Sequence, residues 1–287
     1  MSYRSVFRPG LFTGQNIMIT GGGSGIGRCT AHELASLGAH VILLGRTQSK
    51  LDTVAAEIAE DGGEATGYTL DIRDEEAVTT RVAEIVAAHG RIHGLFNNAG
   101  GQFPAPITNI SKKGFETVVI NNLSGGFLVA REVFKQSMSE HGGAIVNMSC
   151  DMWGGMPMMS HTGAARAGMV NLSQTMAVEW AAHGVRVNAV TPGVIASSGM
   201  DTYEDPTMVA MIPKLKNTVP LKRMGNEAEV SAATVFLLSE AAAYITGTHI
   251  NIDGGSSCNQ KMFPIPMHEK SQPFDGFHRE VKPTIET

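Results

Sequence analysis

Short apolar runs alternate along this chain with segments in which apolar positions recur every three or four residues. Asn16-Ile17-Met18-Ile19-Thr20 reads as a strand running into a glycine cluster, and a helix is predicted from about 26 to 37. His40-Val41-Ile42-Leu43-Leu44 is the next strand, after which Leu51, Val54 and Ile58 share one helical face. A third strand is predicted over 65–70, and Asp74 caps a helix carrying Val78, Val82, Ile85 and Val86. Further strands fall at 95–96, 144–147, 185–190 and 249–252, with long helices near 114–139, 161–183 and 227–239. Strict alternation of strand and helix predicts the α/β class: a single doubly wound Rossmann-type domain, with a parallel sheet of about seven strands and helices on both faces. No repeat or linker divides residues 1–257, and 258–287 reads as an irregular C-terminal tail.

Composition narrows the function. At 287 residues, 43% hydrophobic and 17% charged, the chain can bury a large core and is neither disordered nor fibrous. A net charge of −5 argues against nucleic acid as a partner. No apolar run approaches the roughly 18 residues of a membrane helix, and the N-terminus lacks a signal-peptide core, so no membrane partner is expected. Cys29, Cys150 and Cys258 lack metal-ligand spacing. A reduced, cytoplasmic protein without a metal site is the expectation.

Thr20-Gly21-Gly22-Gly23-Ser24-Gly25-Ile26-Gly27 stands where a strand turns into a helix. Glycines there let the backbone approach a pyrophosphate, and the helix N-terminus offers free N–H groups. The spacing T-G-x-x-x-G-x-G resembles the short-chain dehydrogenase/reductase family. Four more segments strengthen the resemblance, in the family's order: Asn97-Asn98-Ala99-Gly100, Asn122-Leu123-Ser124-Gly125-Gly126-Phe127, Pro192-Gly193-Val194-Ile195 and Asp253-Gly254-Gly255. The resemblance implies that Gly21, Gly23, Ser24, Gly25, Ile26 and Gly27 hold the pyrophosphate and that Asp71 and Ile72 flank the adenine. It further implies that Asn98, Ala99, Gly100, Pro192, Gly193, Ile195 and Ser197 border the nicotinamide half, and that a substrate lid lies near 198–219. Members of the family are commonly homotetramers.

Cofactor choice follows from charge. Where an NAD-selective site places a carboxylate against the ribose 2′-hydroxyl, this chain has Gly45-Arg46, with Lys50 a turn later. A guanidinium there can hold a 2′-phosphate by charge-assisted hydrogen bonds, so NADP(H) is favoured over NAD(H). A solvated helix start is the plainer reading of both cations.

The family's Ser, Tyr and Lys are not reproduced. Alignment places Arg166 at the Lys position, Thr162 at the Tyr position, and Cys150 (or Ser149) at the Ser position. A Thr hydroxyl is no acid near neutral pH, so ordinary carbonyl reduction is in question. His161-Thr162-Gly163-Ala164-Ala165-Arg166-Ala167-Gly168 resembles the helix of peroxisomal-type trans-2-enoyl-CoA reductases and, next, 2,4-dienoyl-CoA reductases. The chain ends without an S-K-L address, so a cytoplasmic relative fits better. That resemblance implies hydride transfer to an α,β-unsaturated acyl thioester, as in fatty acid metabolism. The oxygen then needs preorganised donors more than a full proton. Asn122 is a candidate to position a water, and His161 or Asp151 to supply or relay the proton.

Met148, Met152, Met156, Met158 and Met159 place five of the 16 methionines within twelve residues, beside Trp153. Glycines and a proline interleave with them, which suits an adaptable apolar wall. The expected substrate wall is Gln102, Phe103, Met152, Trp153, Met158, Met159 and Met200. Two other functions stay open: a dehydrogenase acting on an apolar acyl or terpenoid alcohol or ketone, and a non-catalytic NADP(H)-binding protein.

Overall fold

Alternation at period two sorts the strands into two faces, and the computed structural model shows where each face goes. It describes residues 2–202, 206–259 and 265–284. The strands are β1 (Asn16–Thr20), β2 (His40–Gly45), β3 (Glu64–Thr69), β4 (Gly94–Asn97), β5 (Gly143–Met148), β6 (Val185–Pro192), β7 (Ile195–Ala196), β8 (Gly225–Asn226) and β9 (His249–Ile252). Seven of them form one parallel sheet in the order β3-β2-β1-β4-β5-β6-β9, while β7 and β8 pair separately. This is the α/β doubly wound arrangement. Chain direction across the sheet reverses between β1 and β4, which opens a crevice at their C-terminal ends.

The helices are α1 (Gly25–Ser36), α2 (Gln48–Glu60), α3 (Glu75–His89), α4 (Lys112–Val119), α5 (Gly125–Val133), α6 (Ser139–His141), α7 (Ser160–Trp180), α8 (Pro206–Met211) and α9 (Glu227–Leu238). Ile17, Ile19, Val41 and Leu43 pack under α1, α2 and α9 through Leu34, Leu51, Ile58 and Val235. Met18, Ile42, Leu44 and Leu95 pack on the opposite side, under α3, α5 and α7, through Val82, Val129 and Met176. Strands covered on both faces must be apolar at every position, which is why β2 and β4 read as continuous runs. Among the described residues, no helix is long and apolar enough to cross a membrane.

One predicted element is built differently. The helix expected near 114–139 is broken by two π-helical turns, Ile120–Ser124 and Phe134–Met138. Gly125 closes the first and packs so tightly on the loop after β3 that a side chain there would meet Ile72 at 2.7 Å. The segment 198–219 forms a 3-10 turn (Ser198–Thr202), α8 and a second 3-10 turn (Ile212–Thr218), with 203–205 outside the described residues.

α9 begins with a capping box, in which Asn226 Oδ1 accepts from the Glu229 N–H at 3.0 Å and Glu229 Oε2 accepts from the Asn226 N–H at 3.0 Å. Asn226→Ala removes this cap and is expected to destabilise the fold by about 1 kcal/mol, read as a lowered midpoint in urea unfolding. An unchanged midpoint would show that the cap contributes nothing.

Candidate active site

The loop from β1 into α1 has an approach that only glycine allows. Gly21 (φ 69°) and Gly25 (φ 58°) adopt left-handed backbone. A side chain at Gly27 would strike the Gly21 carbonyl and meet Asn98 Nδ2 at 2.6 Å. Ser24 is the N-cap of α1 and makes no side-chain capping bond, so the first-turn N–H groups at 25–27 face the loop. The adjoining cleft is lined by Gly21, Gly23, Ser24, Arg46, Lys50, Asp71, Ile72, Ala99 and Gly100, together with Thr47 and Asn121. Arg46 and Lys50 are exposed on one wall. The Ile26 side chain turns into the core, leaving only its backbone to the loop.

Across the cleft, Arg73 holds the Asp71 carboxylate with Nε at 2.8 Å and Nη2 at 2.5 Å. These bonds hold the Asp71 pKa down to about 2. Arg73 is thereby spent on Asp71, which leaves Arg46 and Lys50 as the cations lining the cleft. The glycine cradle and the helix N-terminus fit a dinucleotide pyrophosphate.

The second half of the site is built around Arg166. Its Nη1 donates to the Met148 carbonyl at 2.6 Å, and no carboxylate pairs with it among the described residues. Burial pulls the guanidinium down to about 10. Gly100 lies so close that a side chain there would overlap Arg166 Nη2 and reach Asn122 Oδ1 at 2.5 Å. Asn122, in the π turn, donates Nδ2 to the Gly101 carbonyl at 2.7 Å and the Val118 carbonyl at 2.9 Å. Its Oδ1 accepts from the Gly101 N–H at 3.2 Å. The widened turn thus locks Asn122 onto the loop after β4.

Ser149 and Cys150 separate in role. Ser149 Oγ donates to the Arg166 carbonyl at 2.8 Å and is committed to holding α7. Cys150 is left facing Met156, with Sγ 3.5 Å from Sδ, and burial pushes its thiol up to about 11. Thr162 is buried, its hydroxyl 3.2 Å from His161 Nδ1. The Thr162 backbone N–H also donates to that nitrogen at 2.8 Å. The neutral ring must then carry its proton on Nε2, which has no hydrogen-bond partner. Burial lowers the His161 pKa, so the ring stays neutral. Asp151 is half-buried, with its backbone N–H on the Pro192 carbonyl at 2.8 Å.

The wall residues divide. Phe103 packs edge-on against His161 with ring centroids 4.6 Å apart, and the Ala105 N–H bonds to the Met158 carbonyl at 2.7 Å. Met159 caps α7 beside them, Met152 is buried, and Gln102 is exposed on the same loop as Phe103. Trp153 instead packs on His249, at 4.6 Å, over the β6–β9 side. Met200 lies on the 3-10 turn after β7, as Ser197 precedes it. Gly193 and Pro192 meet the Asp253 segment, where a side chain at Gly193 would come 2.9 Å from Asp253 Cα. Ile195 pairs with Gly225.

Sequence reading missed Thr20, whose Oγ1 accepts from the N–H groups of Asn98 and Ala99, both at 2.9 Å. It stitches the ends of β1 and β4 together at the crevice. Asn97 extends the stitch by donating to the Gly126 carbonyl at 2.7 Å and to Asn147 at 3.1 Å. Both belong to motifs already noticed, and a Thr or Asn at the end of a buried strand was the available signal.

Comparison with known proteins agrees with this geometry. The family model described as Enoyl-(Acyl carrier protein) reductase matches residues 13–257. A probable 2,4-dienoyl-CoA reductase of Bacillus subtilis (strain 168) is 35% identical over 252 residues, covering 86% of this chain and 98% of the relative. The peroxisomal 2,4-dienoyl-CoA reductase of Danio rerio is 34% identical over 257 residues, covering 88% and 85%. A solved structure titled citronellol catabolism dehydrogenase, from Pseudomonas aeruginosa PAO1, superposes with a TM-score of 0.81 at 61% identity, covering 89% of this chain and all (100%) of that one. With the glycine cradle, the Thr20 stitch and the reversed crevice, these matches show that the chain belongs to the short-chain dehydrogenase/reductase family, whose members are NAD(P)(H)-linked oxidoreductases.

Proposed function

We propose that this oxidoreductase uses NADPH to reduce the α,β double bond of a 2-enoyl thioester carrying an apolar acyl chain. The observation that carries the reading is Arg166, a buried cation without a carboxylate partner among the described residues, in a site without the family's tyrosine. NADPH supplies hydride to the β-carbon when bound. Negative charge then gathers on the thioester oxygen, and a preorganised buried cation stabilises it far better than water does. Asn122, fixed by its bonds to the loop after β4, holds a water beside Arg166 for protonation at the α-carbon. His161 presents an Nε2–H with no other partner and stands as the alternative donor, with Asp151 as a relay. Thr162 and Cys150 shape the wall. Gln102, Phe103, Met152, Met158, Met159 and Met200 would receive the acyl chain, with Trp153 turned away onto His249, and exposed Phe115 on α4, Ile120 in the π turn and Phe127 on α5 suit a homotetramer contact.

A second reading rests on the 61% identity to the citronellol catabolism dehydrogenase. It makes the substrate a branched terpenoid alcohol or its aldehyde, oxidised or reduced at the carbinol carbon. An isoprenoid skeleton satisfies the apolar wall in either reading. The chemistry separates them, because alcohol oxidation needs a base at the hydroxyl, a role that would fall to His161 or Asp151 in place of the family's tyrosine.

NADPH oxidation at 340 nm, with short, medium and branched 2-enoyl-CoAs beside 3-oxoacyl-CoA and citronellal, decides between them. Turnover of the enoyl thioesters alone is expected, and turnover of citronellal alone establishes the second reading. Arg46→Ala is expected to weaken NADPH binding by about 10- to 100-fold through lost charge-assisted bonds, leaving NADH binding unchanged. Equal losses for both nucleotides would remove Arg46 from the 2′-phosphate. Gly100→Ala is expected to abolish turnover while the unfolding midpoint holds, because the methyl displaces Arg166 and Asn122; full activity would contradict the placement of the centre.

A further inference from the structure

The C-terminal tail has no role in the site described so far, yet its described residues are firmly attached. Phe277 is buried against Tyr3 and His32, with ring centroids 5.8 and 5.1 Å away, and Arg28 lies over it at 5.0 Å. Arg279 grips Asp61 with Nε at 3.0 Å and Nη2 at 2.9 Å, and His278 Nε2 meets the same carboxylate at 2.8 Å. The Arg279 carbonyl accepts from Arg28 at 3.0 Å. A chain anchored this well to α1 and α2 is a fixed point, not a fraying end.

From that point the tail reaches the other side of the molecule. Thr284 donates both its backbone N–H, at 3.0 Å, and its hydroxyl, at 2.9 Å, to Asp201 Oδ1. Asp201 lies in the 3-10 turn Ser198–Thr202, in the stretch where the family resemblance places its substrate lid. Thr284 lies five positions beyond Arg279, and an extended chain of that length spans at most roughly 17 Å. The turn is thereby leashed to the body of the fold by two hydrogen bonds to a charged acceptor. Farther along, the second 3-10 turn has its own anchors, with Ile212 buried and the Thr218 carbonyl accepting from Asn259 Nδ2 at 3.1 Å, so the strap acts on the first turn.

We propose that Asp201 and Thr284 are positioning residues: the C-terminal strap holds the first turn of the lid in place and so sets how readily the apolar substrate is retained. The strap supplies in advance part of the ordering that the substrate would otherwise have to impose. The proposal rests on the reading that 198–219 borders the substrate cleft. It does not depend on which apolar substrate enters.

The test uses the full chain with NADPH present, and the variants Asp201→Ala, Thr284→Val, their combination, and Thr284→Ser. Lys214 and Lys216 are exposed in the lid's second turn, so tryptic cleavage there, followed by fragment mass, reports lid opening without any substrate. Cleavage is expected to rise about 3- to 10-fold in each single variant, with no further rise in the double variant and wild-type behaviour for Thr284→Ser. With a turned-over substrate, KM is expected to rise by a similar factor while kcat and NADPH affinity hold. Unchanged cleavage in Asp201→Ala, or additive effects in the double variant, would overturn the strap. Failure of every enoyl and terpenoid substrate would overturn the proposed reaction and leave the cleavage result standing.

Discussion

A positive charge buried without a carboxylate is the constraint on which the rest of this site turns. Removing a guanidinium from water is costly unless other groups replace the lost hydration. Arg166 receives one carbonyl, from Met148, and the close approach of the Gly100 backbone. Burial lowers its pKa to about 10. An anionic or hydroxyl-bearing ligand, or a developing oxyanion, completes what the fold leaves unfinished. The surrounding hydrogen bonds hold the geometry in readiness: Ser149 fixes α7 through the Arg166 carbonyl, and Asn122 fixes the loop after β4.

The sheet makes this convergence possible. Its order reverses between β1 and β4, so the loops after β1, β4 and β5 open side by side. Thr20 joins the first two, and the backbone bonds from Ser149 and Asp151 to β6 carry the third. Gly100 lines the cleft beside the phosphate cradle and at the same time closes on Arg166, so the two halves of the site meet at the loop after β4. Absence of the tyrosine changes which groups can move a proton, while the glycine cradle is left intact.

Much of this was legible in the chain. The apolar run Ile17-Met18-Ile19 and the 3.6-residue spacing of Leu51, Val54 and Ile58 predict a strand and a helix where β1 and α2 lie. The glycine spacing predicts the cradle, because few backbone shapes need glycine at those three positions. The π turn at 120–124 was not legible, since the apolar spacing runs through it without a break and the close packing of Gly125 on Ile72 beside it is a contact distant in sequence. The sequence left Ser149 and Cys150 undecided because they are adjacent, and only the three-dimensional path of α7 shows which hydroxyl is already in use. Trp153 was grouped with the methionines beside it, but it packs on His249, a contact that local pattern does not encode. The tail offered Pro and polar residues and no periodicity, so its anchorage through Phe277 and Arg279 was invisible.

The position at which hydride arrives tests the central claim most directly. Turnover with NADPH deuterated at C4, followed by NMR of the product, locates the transferred atom. Deuterium on the β-carbon of a saturated thioester, with the α-hydrogen drawn from solvent, is the predicted result. Deuterium on a carbinol carbon would contradict conjugate reduction and place the site among the alcohol dehydrogenases instead.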